Sequence, residues 1–338
     1  MSFGSLGENL IFLISQQRAG STLLQRILAG HPEVHTTAEP WLMLHPVYAL
    51  REKGHQAEYN ATLAQKALSD FLETLEHGQA HYLEALRRMA LHLYGTACEQ
   101  AGKSYFLDKT PRYYFIIQEL SEIFPEAKFV ILLRNPLAVL SSILDTWVKG
   151  HWIMLARYRQ DLLDAPHRLS EGIKLLGDRA AVVHYETLVT DPQTVMQFLC
   201  DRLGLEYDPS MLEYGEAARP PGEMGDPVGV DRHARPGIDS LDRWLSMGQT
   251  SQTREFAQGY LRTLGPDLLA ALGYQYAEIE ARLTAVPCTG GRVKTTWQQI
   301  VEPDEALQKR LVFVELALLE HRRLIHAARR WRRSRFGH

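Results

Sequence analysis

The chain has 338 residues, 45% of them hydrophobic, with 37 Lys+Arg against 40 Asp+Glu and a formal net charge of −3. That is enough apolar material for a large α/β core, as one domain or a domain with an appendage, and no nucleic-acid partner is expected from the overall charge. No apolar run approaches the ~20 residues of a membrane span, and no basic stretch followed by an apolar core and a cleavage site opens the chain, so a cytoplasmic protein is expected.

Strand and helix patterns alternate along the chain, which predicts a parallel α/β sheet. The apolar run Leu10–Ser15 reads as the first strand, and Leu23–Leu28 as the start of a helix behind it. A short strand is expected to follow His31-Pro32-Glu33-Val34. Residues 41–102 read as a polar helical insertion with no strand, placed to form a lid or substrate wall. Tyr114–Ile123 reads as a helix, Lys128–Leu133 and Ala180–Tyr185 as strands. Residues 219–239, rich in Pro and Gly, read as a long loop on the substrate side.

The body is expected to close near residue 276. Arg282–Thr296 reads as a linker and Pro303–Arg333 as a long helix. Its apolar positions Leu307, Leu311, Val314, Leu318, Ile325 and Ala328 form a 4-3 stripe interrupted at His321. Seven arginines and no acid follow Glu320. This basic extension, residues 277–338, is a candidate surface for a dimer or a protein partner. Cys98, Cys200 and Cys288 are isolated and odd in number, which argues against disulfides and a Cys zinc site; all three are expected in the core.

Two places carry chemistry. The first is the turn between the first strand and its helix, Gln17-Arg18-Ala19-Gly20-Ser21-Thr22. The first N–H groups of a helix lack intrahelical partners, and the helix dipole adds partial positive charge there. Gly20 permits close backbone approach, Ser21 and Thr22 add hydroxyls, and Arg18 adds a planar fork for phosphate or sulfate oxygens. It is no Walker A loop, since Gly20 has no Lys after it and Gln17 stands where a Gly belongs. The second place is the end of the strand Lys128–Leu133, where Arg134 precedes Asn135-Pro136 and a helix holding Ser141 and Ser142. Arg134 and Ser142 could reach one anion at the C-terminal edge of the sheet, where open α/β sheets bind ligands.

Together the two places resemble the PAPS-dependent sulfotransferases, in their bacterial and tyrosylprotein branches. Three further stretches carry the resemblance: Phe106–Tyr113 with Asp108-Lys109-Thr110-Pro111, Tyr185–Pro192 with the following Phe198–Leu205, and Ile238–Leu245 with Arg243-Trp244. It spans residues 8 to about 276. It implies a P-loop-like parallel sheet flanked by helices, with a helical lid insertion and a C-terminal helical extension beyond it. It implies 3′-phosphoadenosine 5′-phosphosulfate (PAPS) as co-substrate and PAP as product, with no metal required. Arg18, Ala19, Gly20, Ser21 and Thr22 would hold the 5′-phosphosulfate, and Arg134 and Ser142 the 3′-phosphate.

In the cytosolic branch a Lys stands where this chain has Arg18. The late Gly-x-x-Gly-x-x-Lys segment has no clean counterpart here, Gly290-Gly291-Arg292-Val293-Lys294 being nearest. By the same resemblance Lys109 and Arg18 would neutralise charge growing on the leaving phosphate, and Glu39 would be the base. His233, in the 219–239 loop, is a second candidate base, and Asp108 could orient Lys109. His31, His35 and His45 read as structural or surface groups. The acceptor would be a small-molecule or carrier-bound hydroxyl, less readily an amine, and its class stays open. Two other readings stand beside this one: a P-loop-type nucleotide kinase, and a non-catalytic nucleotide-fold protein acting through its C-terminal helix.

Overall fold

A computed structural model describes residues 3–54, 57–213, 237–306, 309 and 311. Five parallel strands form one sheet: β1 (Leu10–Ser15), β2 (Val34–Thr36), β3 (Tyr105–Lys109), β4 (Lys128–Leu133) and β5 (Ala180–His184), in the order β2-β3-β1-β4-β5. β1 lies at the centre because all six of its residues are buried and both its faces are covered. Its side chains alternate by strand period. Leu10, Phe12 and Ile14 enter one core, and Ile11 and Leu13 enter another.

Among the described residues twelve α-helices accompany the sheet: α1 (Ser21–Ala29), α2 (Leu44–Tyr48), α3 (Ala61–Glu73), α4 (Gly78–Ala101), α5 (Ile117–Ile123), α6 (Pro136–Ile143), α7 (Arg159–Leu176), α8 (Tyr185–Thr190), α9 (Pro192–Leu203), α10 (Ser251–Ala271), α11 (Tyr276–Ala285) and α12 (Trp297–Val301). On the Phe12 face, Phe12 meets Phe124 and Phe129 at 5.4 and 5.5 Å between ring centres. Leu86, Ala90, Tyr94 and Cys98, four residues apart on α4, bury one stripe of that helix in the same core. On the Ile11 face, α1, α8 and α9 bury Leu24, Ile27, Leu188 and Leu199. A third cluster joins α6, α7 and α10 to α11 and α12.

Several expectations need correction. β3 was legible only as a motif, not as a strand, because Asp108 and Lys109 interrupt its apolar pattern; both are nevertheless buried in the sheet. The helix expected over Tyr114–Ile123 is split into a 3-10 turn, Pro111–Phe115, and α5. Packing also continues past residue 276. Ile279 and Leu283 of α11 are buried with Phe256 and Tyr260, and the Trp297 ring lies 5.3 Å from that of Tyr260. The segment expected as a linker therefore begins inside α11. Its Gly290 carbonyl accepts from Ser251 N at 3.3 Å, and Lys294 N donates to Gln252 Oε1 at 2.6 Å. Cys98 and Cys200 are core residues, but Cys288 is exposed. The long helix expected over 303–333, with its arginine-rich end, lies almost wholly outside the described residues, as does most of the 219–239 loop with His233. No helix among the described residues is long and apolar enough to cross a membrane.

Candidate active site

The sheet register brings the expected site residues to one edge. Leu13 of β1 pairs with Lys109 of β3, and Ser15 pairs with Leu132 of β4, so the β1–α1 turn, Lys109 and Arg134 all leave the C-terminal ends of neighbouring strands. β1 connects towards β2 on one side, and β4 towards β5 on the other. The gap between the β1 and β4 ends is thus a topological switch point, the usual ligand crevice of an open α/β sheet.

The turn after β1 is tightly bent. Arg18 has φ 67° and Gly20 has φ 100°, both in the left-handed region. Glycine is required at position 20 for a second reason: a Cβ there would sit 2.4 Å from the Tyr185 ring. α1 begins immediately after, at Ser21. Such a left-handed residue before a helix turns backbone N–H groups towards one concavity, which suits an anion.

Arg18 and Arg134 are bonded into one unit. Arg18 Nε donates to Ser142 Oγ at 3.1 Å, and its guanidinium lies 5.3 Å from the Trp147 ring centre. Arg134 Nη1 donates to the Arg18 carbonyl at 3.0 Å, and its guanidinium stacks 4.1 Å from the Tyr185 ring centre. Arg134 Nε is buried without a hydrogen-bond partner. Burial lowers the pKa of this guanidinium, and Tyr185 and Glu186 oppose that. The start of α6 is held by two capping bonds: Leu137 N donates to Asn135 Oδ1 at 2.9 Å, and Asn135 N donates to Glu186 Oε1 at 2.9 Å.

Beside this unit lies an ion pair. Lys109 Nζ is 2.7 Å from Glu39 Oε1, with the lysine side chain 1% exposed and the glutamate 12%. Trp41 Nε1 donates to Glu39 Oε2 at 3.1 Å. Behind Lys109, Asp108 is buried and accepts from Tyr94 and Tyr113 hydroxyls at 2.6 and 2.9 Å and from Thr110 Oγ1 at 2.7 Å. Burial pushes the Asp108 carboxyl up to about 6, although those three hydrogen bonds pull it down. Asp108 therefore anchors the end of β3 to α4 through the Tyr94 hydroxyl.

A second buried carboxylate was not legible in the sequence. Asp161 of α7 takes a bidentate bond from Arg112 (3.1 and 2.7 Å) and one from the Tyr114 hydroxyl (2.7 Å), while its carbonyl accepts from Gln16 Nε2 (2.7 Å). These partners are separated by up to 145 residues, so no local pattern announces them. His31 is buried, with Nε2 2.9 Å from the Glu206 carbonyl and Nδ1 accepting from Glu33 N at 3.1 Å; it fixes the chain before β2 and faces no site residue.

An edge with three cationic side chains and a helix start suits the handling of a multiply charged anion, and the Glu39 carboxylate stands beside it. The sulfotransferase family's sequence profile matches residues 10–209. The chain belongs to the sulfotransferase family. The nodulation protein NoeE of Sinorhizobium fredii is 29% identical over 318 residues, covering 87% of this chain and 72% of NoeE. Protein-tyrosine sulfotransferase 1 of Danio rerio is 26% identical over 275 residues, covering 78% and 72%. Among solved structures, the sulfotransferase domain from the curacin biosynthetic pathway superposes with a TM-score of 0.50 at 22% identity, covering 78% of this chain and 97% of that domain, which shows the shared fold. This sulfotransferase is accordingly an enzyme of sulfuryl transfer.

Proposed function

We propose that this sulfotransferase moves the sulfuryl group of PAPS to a hydroxyl acceptor by in-line displacement. The observation that carries the reading is the bonded set Arg134–Arg18–Ser142, which spans the switch-point crevice next to the Lys109–Glu39 pair. The residues fit a donor with anionic groups at both ends. Arg134, with an unpartnered buried Nε, and Ser142 suit the 3′-phosphate. The Gly20–Thr22 helix start, where a Cβ at residue 20 would strike Tyr185, suits the 5′ end.

The donor supplies an activated sulfuryl group and a phosphate leaving group. This chain supplies charge and a proton acceptor. Glu39 takes the proton of the acceptor hydroxyl while its oxygen bonds to sulfur and the bond from sulfur to the phosphate oxygen breaks. Lys109 and Arg18 neutralise the negative charge that gathers on the departing oxygen. A phenolic or aliphatic alcohol suits this chemistry, and the likeness to an enzyme named for protein tyrosine supports a hydroxyl acceptor.

Isothermal titration with PAP tests the donor side. We expect binding that Arg134→Ala weakens by about 100-fold. Tighter binding of Mg-ATP than of PAP would favour a kinase instead. Labelled PAPS offered to sugars, phenols, lipid alcohols, peptides and carrier-bound acyl chains then reads out the acceptor.

A further inference from the structure

We infer that Trp41 is a positioning residue for the base: its indole N–H holds the Glu39 carboxylate in line while Lys109 turns to the donor. The inference rests on the reading of Glu39 as proton acceptor.

Lys109 and Trp41 grip different oxygens of the same carboxylate, at 2.7 Å on Oε1 and 3.1 Å on Oε2. Each oxygen can accept two bonds, so one donor apiece leaves room for an acceptor hydroxyl. The two donors are not equivalent. The Lys109 ammonium is mobile in principle, and its proposed task is on the leaving oxygen. As it turns away, Glu39 loses a charged partner and keeps the indole. A neutral N–H is suited to that role, because it fixes orientation without holding the carboxylate as strongly as a cation does.

Trp41 is itself held in an unusual way. Its φ is 53°, in the left-handed region that aromatic residues rarely adopt. Such a conformation persists where the surroundings over-determine it, and it gathers at functional sites. Here several restraints act on it together. Pro40 restricts the backbone on the N-terminal side. Trp41 N donates to Thr110 Oγ1 at 3.4 Å, and the Trp41 carbonyl accepts from Leu44 N at 3.3 Å. The ring lies 5.7 Å from the Arg112 guanidinium, which is clamped on buried Asp161. Asp161 in turn accepts from Gln16, the residue after β1. A continuous set of contacts thus ties the carboxylate to the strand that carries the donor turn. Packing alone would not direct an indole N–H at a carboxylate two residues away.

The test uses the full chain and two readouts. In ¹⁵N-labelled protein the Trp41 indole signal is the one missing from Trp41→Phe. It should move on Glu39→Ala and stay put on Cys288→Ala. An unmoved signal would overturn the inference whatever the acceptor. Turnover is read as PAP release from PAPS with 4-methylumbelliferone as the phenol. Trp41→Phe keeps an aromatic ring, though a smaller one, and loses the N–H, and should lower kcat about tenfold with KM for PAPS and PAP affinity within about twofold, as for one lost orienting hydrogen bond. In a Glu39→Gln background the same substitution should change kcat by less than about twofold, because the proton acceptor it orients is already gone. Equal losses in both backgrounds would make Trp41 merely structural. Wild-type protein that fails to bind PAP would instead sink the donor reading beneath it, and the indole signal would still decide the contact.

Discussion

Arg18 and Ser142 stand 124 residues apart in the chain and 3.1 Å apart in the fold, joined by the Arg18 Nε–Ser142 Oγ hydrogen bond. The turn after β1 and the helix after β4 are therefore joined into one hydrogen-bonded unit. Arg134 closes it from behind by donating to the Arg18 carbonyl. A ligand gripped by either half reads the position of the other.

Donor affinity follows from this arrangement. Arg134→Ala removes a stacked, buried cation and should weaken PAP binding by about 100-fold, in the range of ~1.5–3 kcal/mol for charged hydrogen bonds. Ser142→Ala removes a neutral hydroxyl and should cost about 3- to 10-fold. Titration calorimetry on both variants checks the order. A larger loss for Ser142→Ala would contradict the charge argument.

Glu39→Gln should leave PAP affinity intact and slow transfer by about 10²–10⁴-fold, the usual span for a lost general base. Single-turnover rates with labelled PAPS measure it. Normal rates with weakened PAP binding would reassign Glu39 to donor binding.

Lys109 is buried against Glu39, so Lys109→Met strands a carboxylate in the interior. We expect a stability loss of about 3–5 kcal/mol, and partial recovery in the Lys109→Met/Glu39→Gln double variant. Urea unfolding of the three variants gives the coupling. Transfer should be slowed by at least about a hundredfold in every one of them.

Asp108 sets a pH dependence of stability. Its folded carboxyl titrates near about 6, above its ordinary 3.8, chiefly because it is buried. The unfolded chain gives up this proton first. The contribution of this group to stability should therefore fall as pH rises from about 4 to about 6, by about 3 kcal/mol in total, and be flat on either side. Asp108→Asn removes this group's titration. Denaturant midpoints measured across that window should slope in the wild type and flatten in the variant, and an unchanged slope would reject the assignment.

Gly20→Ala combines a left-handed φ with a Cβ thrust into Tyr185. The fold should lose about 1–3 kcal/mol and the displaced turn should lose PAP affinity. A lower thermal midpoint with unchanged PAP binding would mean that the turn does not touch the donor.

The sequence by itself determined the parallel α/β class, four of the five strands, and the positions of the two strand–helix junctions at Arg18–Thr22 and Arg134–Ser142. These are local: an apolar run of strand length, a Gly at a sharp turn, a Pro at a helix start. It also named Lys109 and Glu39, through a motif and not through a pattern of burial. The tertiary structure decided what those residues touch. β3 escaped a reading by periodicity because two of its five residues, Asp108 and Lys109, are charged yet buried, and only partners on α4, the 3-10 turn and the β2–α2 segment make that tolerable. Tyr185 beneath Arg134, Asp161 beneath Arg112 and Trp41 on Glu39 were invisible for the same reason. The first two join residues 49 or more apart, and the third depends on a left-handed backbone that no propensity would choose. Likewise α11 and α12 belong to the body because Leu283, Trp297 and Ile300 fill its third core, although a Gly- and Pro-bearing stretch between them had the composition of a linker. Local chemistry marks where a turn or a strand can form; burial and partner choice depend on the whole chain having folded.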